Sequence, residues 1–170
     1  HCGVKVFMGA STGNLLVEDE KALEEIFAEA PTLIVTHCES GPVIQKNTER
    51  LSKLGRPFVI QDHPVLRDDE ACYASSSYAV GLAKRHGSNL HVLHITTKKE
   101  LDLFEPGEIS GKSITAEACV HHLWFCDEDY SQKGNLIKCN PAIKSAQDRA
   151  ALIQALSDER IDIIATDHAP

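Results

Sequence analysis

The sequence predicts an α/β protein built on a parallel β-sheet, either doubly wound or closed into a barrel. Short apolar runs of strand length alternate with amphipathic helical segments along the whole chain. Neither a G-x-G-x-x-G nor a G-x-x-x-x-G-K-[ST] motif follows any of these runs, so the glycine-rich cradle of dinucleotide and P-loop proteins is missing. No linker or change of composition divides the chain, which predicts one domain over residues 1–170.

Five apolar runs predict the strands, because each is short and bounded by turn-forming or polar residues. They cover residues 3–8, 32–37, 89–95, 114–119 and 161–166. A further apolar run, residues 57–61, is either an extra strand or a segment at the rim of the sheet.

Five segments with helical periodicity separate these strands or follow them. They cover residues 19–30, 41–54, 68–86, 97–104 and 145–156. Pro31, Gly55 and Gly87 mark the ends of the first three, since proline and glycine are typical just beyond a helix. Ser145 with Asp148 three positions later has the spacing of a capping box and predicts the start of the last helix.

The amino-acid composition excludes several classes of function. The chain of 170 residues has 25 acidic and 17 basic side chains, a net charge of −8 and 42% hydrophobic residues. Scattered basic residues argue against nucleic acid as a partner, and no apolar run approaches the ~20 residues that span a membrane. The six cysteines form no C-x-x-C pair, which indicates reduced thiols in a cytoplasmic protein and argues against a structural zinc site built from them. We therefore expect a small-molecule substrate.

Ionisable residues fall where active-site residues of parallel sheets are found. Lys5 lies within the first strand, while His37, His94 and Asp167 end three of the others. The carboxyl ends of parallel strands meet on one face, so these side chains are expected to converge. Two histidines, an aspartate and a lysine together suggest a metal site.

Strand spacing can be compared with that of a (β/α)₈ barrel, in which each unit takes ~31 residues. Lys5 and His37 are about one such unit apart, and His37 and His94 about two. Five strands are accounted for in this way. We therefore expect about five of eight barrel units, with the N-terminal strands outside this sequence.

Several motifs resemble the dihydroorotase family of the amidohydrolase superfamily. They are Gly3-Val4-Lys5-Val6-Phe7, Thr36-His37-Cys38-Glu39, His91-Val92-Leu93-His94-Ile95-Thr96-Thr97, His121-His122-Leu123, Lys138-Cys139-Asn140-Pro141 and Thr166-Asp167-His168-Ala169-Pro170. The segments around His94 and Asp167 are shared by cyclic amidohydrolases in general. The His-His-Leu and Cys-Asn-Pro segments favour dihydroorotase over hydantoinase or allantoinase.

The resemblance implies a TIM-like barrel of the amidohydrolase type, of which this chain supplies strands four to eight. It also implies two Zn²⁺ ions, bridged by an N-carboxylated Lys5, with His37 and His94 on one ion and Asp167 on the other. Asp167 would then move the proton during reversible cyclisation of N-carbamoyl-L-aspartate to L-dihydroorotate, a step of pyrimidine biosynthesis. Asn140 is expected to contact the pyrimidine ring, and Ser11 and Thr12 to lie in a loop over the substrate.

Two departures from the family pattern limit this expectation. The paired metal histidines of the first barrel strand, with the arginine that binds the substrate carboxylate, are not in this sequence. Neither is the histidine expected just after Pro170. We therefore expect these 170 residues by themselves to be inactive.

Two other functions remain open. One is another cyclic amidohydrolase, of hydantoinase or allantoinase type, and the other is a non-catalytic dihydroorotase-like subunit that supports a partner such as aspartate carbamoyltransferase. A homodimer is a further open expectation.

The remaining histidines are interpreted as structural. His91 and His94 differ by three positions, so strand alternation would place them on opposite faces and leave only His94 in the site. His121 and His122 would likewise point apart in a strand, one buried and one exposed.

Overall fold

A computed structural model of the protein describes residues 2–9 and 15–168. The strands are β1 (Gly3–Met8), β2 (Leu33–Cys38), β3 (Leu90–Val92), β4 (Ile114–Cys119) and β5 (Ile163–Ala165). The α-helices are α1 (Glu20–Glu29), α2 (Gly41–Ser52), α3 (His63–Leu66), α4 (Asp69–His86), α5 (Val120–Trp124), α6 (Tyr130–Lys133) and α7 (Ala146–Ser157). Short 3₁₀-helices cover Ile60–Asp62, Lys98–Leu103, Ile109–Gly111, Asp127–Asp129 and Gly134–Ile137. Within the described ranges, no helix is both long and apolar enough to cross a membrane.

The five strands form one parallel sheet in chain order, β1-β2-β3-β4-β5. Parallel neighbours need a crossover connection, and helical segments provide one between each pair. A doubly wound sheet reverses its strand order at a switch point, whereas a barrel keeps chain order. The order observed here is therefore that of about five consecutive units of a (β/α)₈ barrel.

The main core lies between the sheet and the helices. Strand residues in this core include Val6, Met8, Ile34, Leu90, Val92, Ala116 and Ala118. Helix residues packed against them include Leu23, Phe27, Ala79, Leu82 and Leu152. Because successive strand residues point to opposite faces, the intervening residues lie on the other side of the sheet, here called the inner face. The inner face carries Lys5, Phe7, Val35, His37, His91, Thr115 and Glu117.

Helix ends follow the sequence signals closely. The Asp19 carboxylate accepts a hydrogen bond of 2.8 Å from the backbone N–H of Ala22 at the start of α1. Ser145 and Asp148 form the predicted capping box of α7. Gly87, with φ of 69°, ends α4 in the left-handed conformation that glycine adopts without strain. These local predictions are confirmed.

Several elements differ from expectation, among them the last strand, which covers only Ile163–Ala165 instead of residues 161–166. Residues 57–61 form no strand, and a 3₁₀-helix begins at Ile60, where the backbone N–H of Val59 donates to the carboxylate of Asp62. The predicted helix over residues 97–104 is a 3₁₀-helix over Lys98–Leu103. The third predicted strand is also shorter, because β3 ends at Val92.

Candidate metal centre

His37 and His94 meet at the carboxyl ends of neighbouring strands. His37 is the fifth residue of β2, and His94 follows β3 by two positions. The Nδ1 of His37 lies 3.0 Å from the Nε2 of His94, and their ring centroids are 4.7 Å apart. Both side chains are buried, at 5% and 3% exposure. The predicted convergence of these two residues is confirmed.

A buried carboxylate fixes the orientation of His37. The Oε2 of Glu39 lies 2.9 Å from the Nε2 of His37 and accepts a hydrogen bond of 2.5 Å from Arg67. Burial by itself would raise the pKa of the Glu39 carboxyl, but the hydrogen bond with His37 and the charge of Arg67 hold it below its usual value. An ionised Glu39 accepts the Nε2 proton of His37, which leaves a lone pair on Nδ1 facing His94.

His94 adopts an unusual backbone conformation. Among the residues that the structure describes, the non-glycine residues with positive φ are His94 (39°), Asp167 (48°) and Glu159 (56°). The backbone N–H of His94 donates to the Oε1 of Glu117 at 3.3 Å, so a side chain of β4 holds this turn. Positive φ is costly for residues with a side chain and is typical of functional sites.

The His94 ring is neutral. Burial lowers the pKa of the imidazole well below its usual value, and the neighbouring His37 lowers it further. Its Nε2 lies at hydrogen-bond distance from the lone pair of His37 Nδ1 and donates to it, while its Nδ1 is buried without a hydrogen-bond partner among the described residues. Neutral imidazole is the form that binds metals.

Lys5 shares the inner face with these histidines. It is in register with Val35 of β2, two positions before His37, and its side chain is exposed. The Nζ of Lys5 lies 4.7 Å from the ring centroid of Phe7, and that ring is 6.3 Å from the His37 ring. Lys5 is thus on the same face as the histidine pair, and its positive charge is one of the causes that lower the pKa of His94.

Asp167 lies beyond the end of β5 and is exposed. Burial lowers the pKa of His121, and the negative charge of Asp167 opposes that effect. The same charge also adds to the high pKa of Cys119, after burial and Glu117. The structure therefore puts Asp167 at the carboxyl end of the sheet, two positions beyond the last residue of β5.

Asn140 lies between two residues whose backbone carbonyls are hydrogen-bonded to histidine side chains. The Nε2 of His63 is 2.8 Å from the carbonyl oxygen of Cys139, and the Nε2 of His122 is 3.0 Å from that of Pro141. The side chain of Asn140 itself is exposed. The predicted substrate-binding residues Ser11 and Thr12 lie outside the described residues.

Strand alternation gave a wrong placement for His91. His91 lies on the inner face, in register with Val35, and bonds with Thr115 at 2.8 Å and Glu117 at 3.1 Å. Because β3 ends at Val92, alternation does not extend to His94, and both histidines belong to the inner side of the sheet.

The sequence did not predict a function for three residues that support this site: Glu39, Arg67 and Glu117. Glu39 follows His37 by two positions in the Thr-His-Cys-Glu motif, and that spacing was the available signal. Gly9 supports the same region, because its φ is 132° and a Cβ there would overlap the carbonyl oxygen of Glu39.

The histidine pair fits a divalent ion of the zinc class. Two nitrogens bound ~2.1 Å from a tetrahedral ion lie about 3.4 Å apart, close to the observed 3.0 Å. The carboxylate behind His37 is the usual support for a metal-bound histidine. Lys5 and Asp167 could complete such a centre from the two edge strands.

Sequence comparisons find relatives that are named dihydroorotase. No protein-family model matches the chain. A curated dihydroorotase from Bacillus subtilis is 35% identical over 170 residues, which cover 96% of this chain and 36% of that protein. The chain spans about a third of the length of the curated relatives it matches.

Solved structures show the same architecture. A D-hydantoinase (dihydropyrimidinase) from Thermus sp. matches 98% of this chain and 37% of its own, with a TM-score of 0.84 and 19% identity. A dihydroorotase from Campylobacter jejuni matches 99% of this chain and 45% of its own, with a TM-score of 0.64 and 19% identity. Both likenesses establish the fold, and the predicted partial barrel is confirmed.

Proposed function

Because this chain is dihydroorotase-like in sequence and has the fold of the amidohydrolase barrels, we propose that it carries part of the active site of a metal-dependent cyclic amide hydrolase. We further propose that the reaction is that of dihydroorotase, the reversible cyclisation of N-carbamoyl-L-aspartate to L-dihydroorotate. The observation that carries the proposal is the His37 and His94 pair, whose nitrogens face each other at the carboxyl ends of adjacent strands.

His37, His94, Asp167 and an N-carboxylated Lys5 would hold the metal. Bound zinc would polarise the amide carbonyl and make a water nucleophilic near neutral pH. Addition of carbon dioxide to the neutral Lys5 amine, with loss of one proton, would convert this side chain, which now lies over the Phe7 ring, into an anionic oxygen ligand. Zn²⁺ and the modified lysine rest on the family resemblance and on this donor set.

Asp167 is the residue proposed to move the proton. In hydrolysis its carboxylate takes a proton from the attacking water and gives it to the departing ring nitrogen. In cyclisation it takes the proton from the amide nitrogen of N-carbamoyl-L-aspartate as the ring closes with loss of water. Its exposed position at the end of a barrel strand suits this role.

Substrate choice rests on sequence more than on fold. The curated relatives named dihydroorotase and the Cys139-Asn140-Pro141 segment favour dihydroorotate. The higher TM-score with a hydantoinase favours the second candidate, a hydantoinase-type enzyme. Asn140 is proposed to contact the pyrimidine ring.

The deciding experiment compares three substrates in the full-length protein. We expect ring closure of N-carbamoyl-L-aspartate, with little hydrolysis of hydantoin or allantoin. Asn140→Ala should raise KM for dihydroorotate, while substitution of the exposed Asn135 should not. Turnover of hydantoin or allantoin alone would contradict the dihydroorotase assignment.

A non-catalytic subunit is the remaining alternative, and association with aspartate carbamoyltransferase or with a second copy stays a prediction. A scaffold has no need of the His37 and His94 pair. Metal analysis that finds less than about one zinc per full-length chain would favour the scaffold.

A further inference from the structure

A second group of metal-binding side chains lies where β4 passes into α5. It consists of Cys119, His121 and His122, here called the thiol cluster. The Cys119 thiol and one ring nitrogen of each histidine all lie within 4.8 Å of one another. The two imidazole centroids are 4.2 Å apart at an angle of 53°. None of these residues belongs to the proposed binuclear centre.

A change of secondary structure brings the three residues together. β4 ends at Cys119 and α5 begins at Val120. Neighbouring residues point about 100° apart on a helix rather than to opposite faces, as they would in a strand. The expectation that His121 and His122 point apart in a strand was therefore wrong.

His122 is arranged like a metal ligand. It is 3% exposed, and its Nε2 lies 3.0 Å from the carbonyl oxygen of Pro141, to which it can donate. Its Nδ1 is buried and has no hydrogen-bond partner among the described residues. Metal-bound histidines commonly donate their second ring N–H to such a carbonyl, which leaves the other nitrogen free for the ion. A buried nitrogen without a partner is otherwise unfavourable.

The charges around the thiol cluster suit a cation. Glu117 and Asp167 supply negative charge that acts on Cys119. Burial raises the pKa of the Cys119 thiol to about 12, and these two charges add to the effect. A bound dication would deprotonate the thiol and offset that negative charge.

We propose that Cys119, His121 and His122 bind one divalent ion of the zinc class through a thiolate and two imidazoles. This donor set is typical of Zn²⁺ and Co²⁺, and a fourth position stays open on the side of His121, the most exposed of the three. The ion would lie at the carboxyl end of the sheet, near Asp167. The proposal does not depend on the proposed function, because the two sites share no ligand.

Cobalt substitution tests the thiol cluster directly. The full chain is prepared free of metal and titrated with Co²⁺ alone, and the near-ultraviolet thiolate-to-cobalt charge-transfer band is recorded. We expect the band in the wild-type protein and its loss in Cys119→Ser. Cys126→Ser is the matched control, because Cys126 is a buried cysteine outside the cluster and its removal should leave the band unchanged.

His121→Ala gives a second variant that disturbs packing less, since His121 is partly exposed. It should weaken Co²⁺ binding at this site by at least about tenfold. This result decides the matter if Cys119→Ser fails to fold by circular dichroism. The absence of a sulfur band in the wild type would overturn the proposal.

Two further outcomes also overturn it. A band that survives Cys119→Ser, or one that is lost in Cys139→Ser instead, would assign the sulfur ligand to Cys139, whose thiol lies 3.6 Å from the Nε2 of His122. The proposed ligands of the binuclear centre include no sulfur, so cobalt bound there alone gives no such band. The experiment therefore distinguishes failure of the thiol-cluster proposal from failure of the proposed function.

Discussion

The middle of the sheet and its two edges hold the proposed metal ligands in different ways. His37 and His94 follow the inner strands β2 and β3 and are buried, with a direct contact of 3.0 Å. Lys5 lies in the outer strand β1, Asp167 follows the outer strand β5 by two positions, and both are exposed. In a closed barrel both of these outer strands would be paired on their free sides.

This difference indicates which part of the site is preorganised by the chain itself. The central pair is held by Glu39 and Arg67 behind His37 and by Glu117 beneath His94. For the edge residues, side-chain support of this kind is limited among the described residues to the contact between Lys5 and Phe7. We infer that the central histidines bind metal more independently of their surroundings than the edge residues do.

The largest expected effect is on kcat. It distinguishes proton transfer by Asp167, at the edge of the sheet, from metal binding by the central histidines. Asp167→Asn in the full-length protein should lower kcat by ~10²- to 10⁴-fold while at least one metal ion stays bound, because the proton carrier is lost and the histidine pair is not. His94→Ala should lose both activity and the metal held by that pair. Activity assays with metal analysis of each purified variant measure the two effects.

His86→Ala provides the control, since this histidine lies at the end of α4 and pairs with Glu24. It should keep both metal and activity. If Asp167→Asn loses as much metal as His94→Ala, the centre is not preorganised and the comparison fails.

A smaller effect is expected on stability, from two ion pairs. Arg67→Met would leave the fully buried Glu39 carboxylate without its guanidinium and should destabilise the fold by about 3 kcal/mol. Arg56→Met removes a partner that is 45% exposed from Asp62 and should cost less than about 1 kcal/mol. Urea unfolding of both variants gives the free energies, and equal losses would show that Glu39 is not specially dependent on its partner.

The smallest expected effect is a pH dependence of the folding stability, caused by Asp62. Hydrogen bonds from Arg56 and from the backbone N–H of Val59 lower the pKa of Asp62 from 3.8 to about 2. Because the folded pKa is the lower one, this stabilisation is complete above about pH 3.8 and is lost as the pH falls to about 2.

The Asp62→Asn variant isolates that contribution, which we expect to be about 1 kcal/mol or less because Arg56 is partly exposed. The difference in unfolding free energy between wild type and variant should shrink over this pH range. A difference that stays constant from neutral pH to pH 2 would show that the pair contributes nothing through its charge.

The succession of strands and helices along the chain was predictable because its signals are local. An apolar run of strand length, a capping residue such as Asp19 or Ser145, and a terminating Gly87 each act within a few residues. The convergence of His37 and His94 was also predictable, since the carboxyl ends of parallel strands meet on one face.

The support behind the ligands was not predictable in this way. Arg67 reaches Glu39 across 28 positions of the chain, and Glu117 reaches the backbone of His94 across 23. Sequence periodicity gives the face of a residue within one element but not its contact with another. It also failed between His91 and His94, because β3 ends at Val92, and at His121, which lies in α5 rather than in a strand.

The sequence by itself determined a parallel α/β barrel segment and placed histidines, a lysine and an aspartate at its strands, because apolar period and strand polarity are properties of short stretches. Only the tertiary structure decided which nitrogen of His37 faces His94, that Glu39 is ionised behind it, and that Cys119 meets two histidines at the start of α5. Those features depend on distances between separate elements and on the positive φ of His94, which follow from packing of the whole sheet.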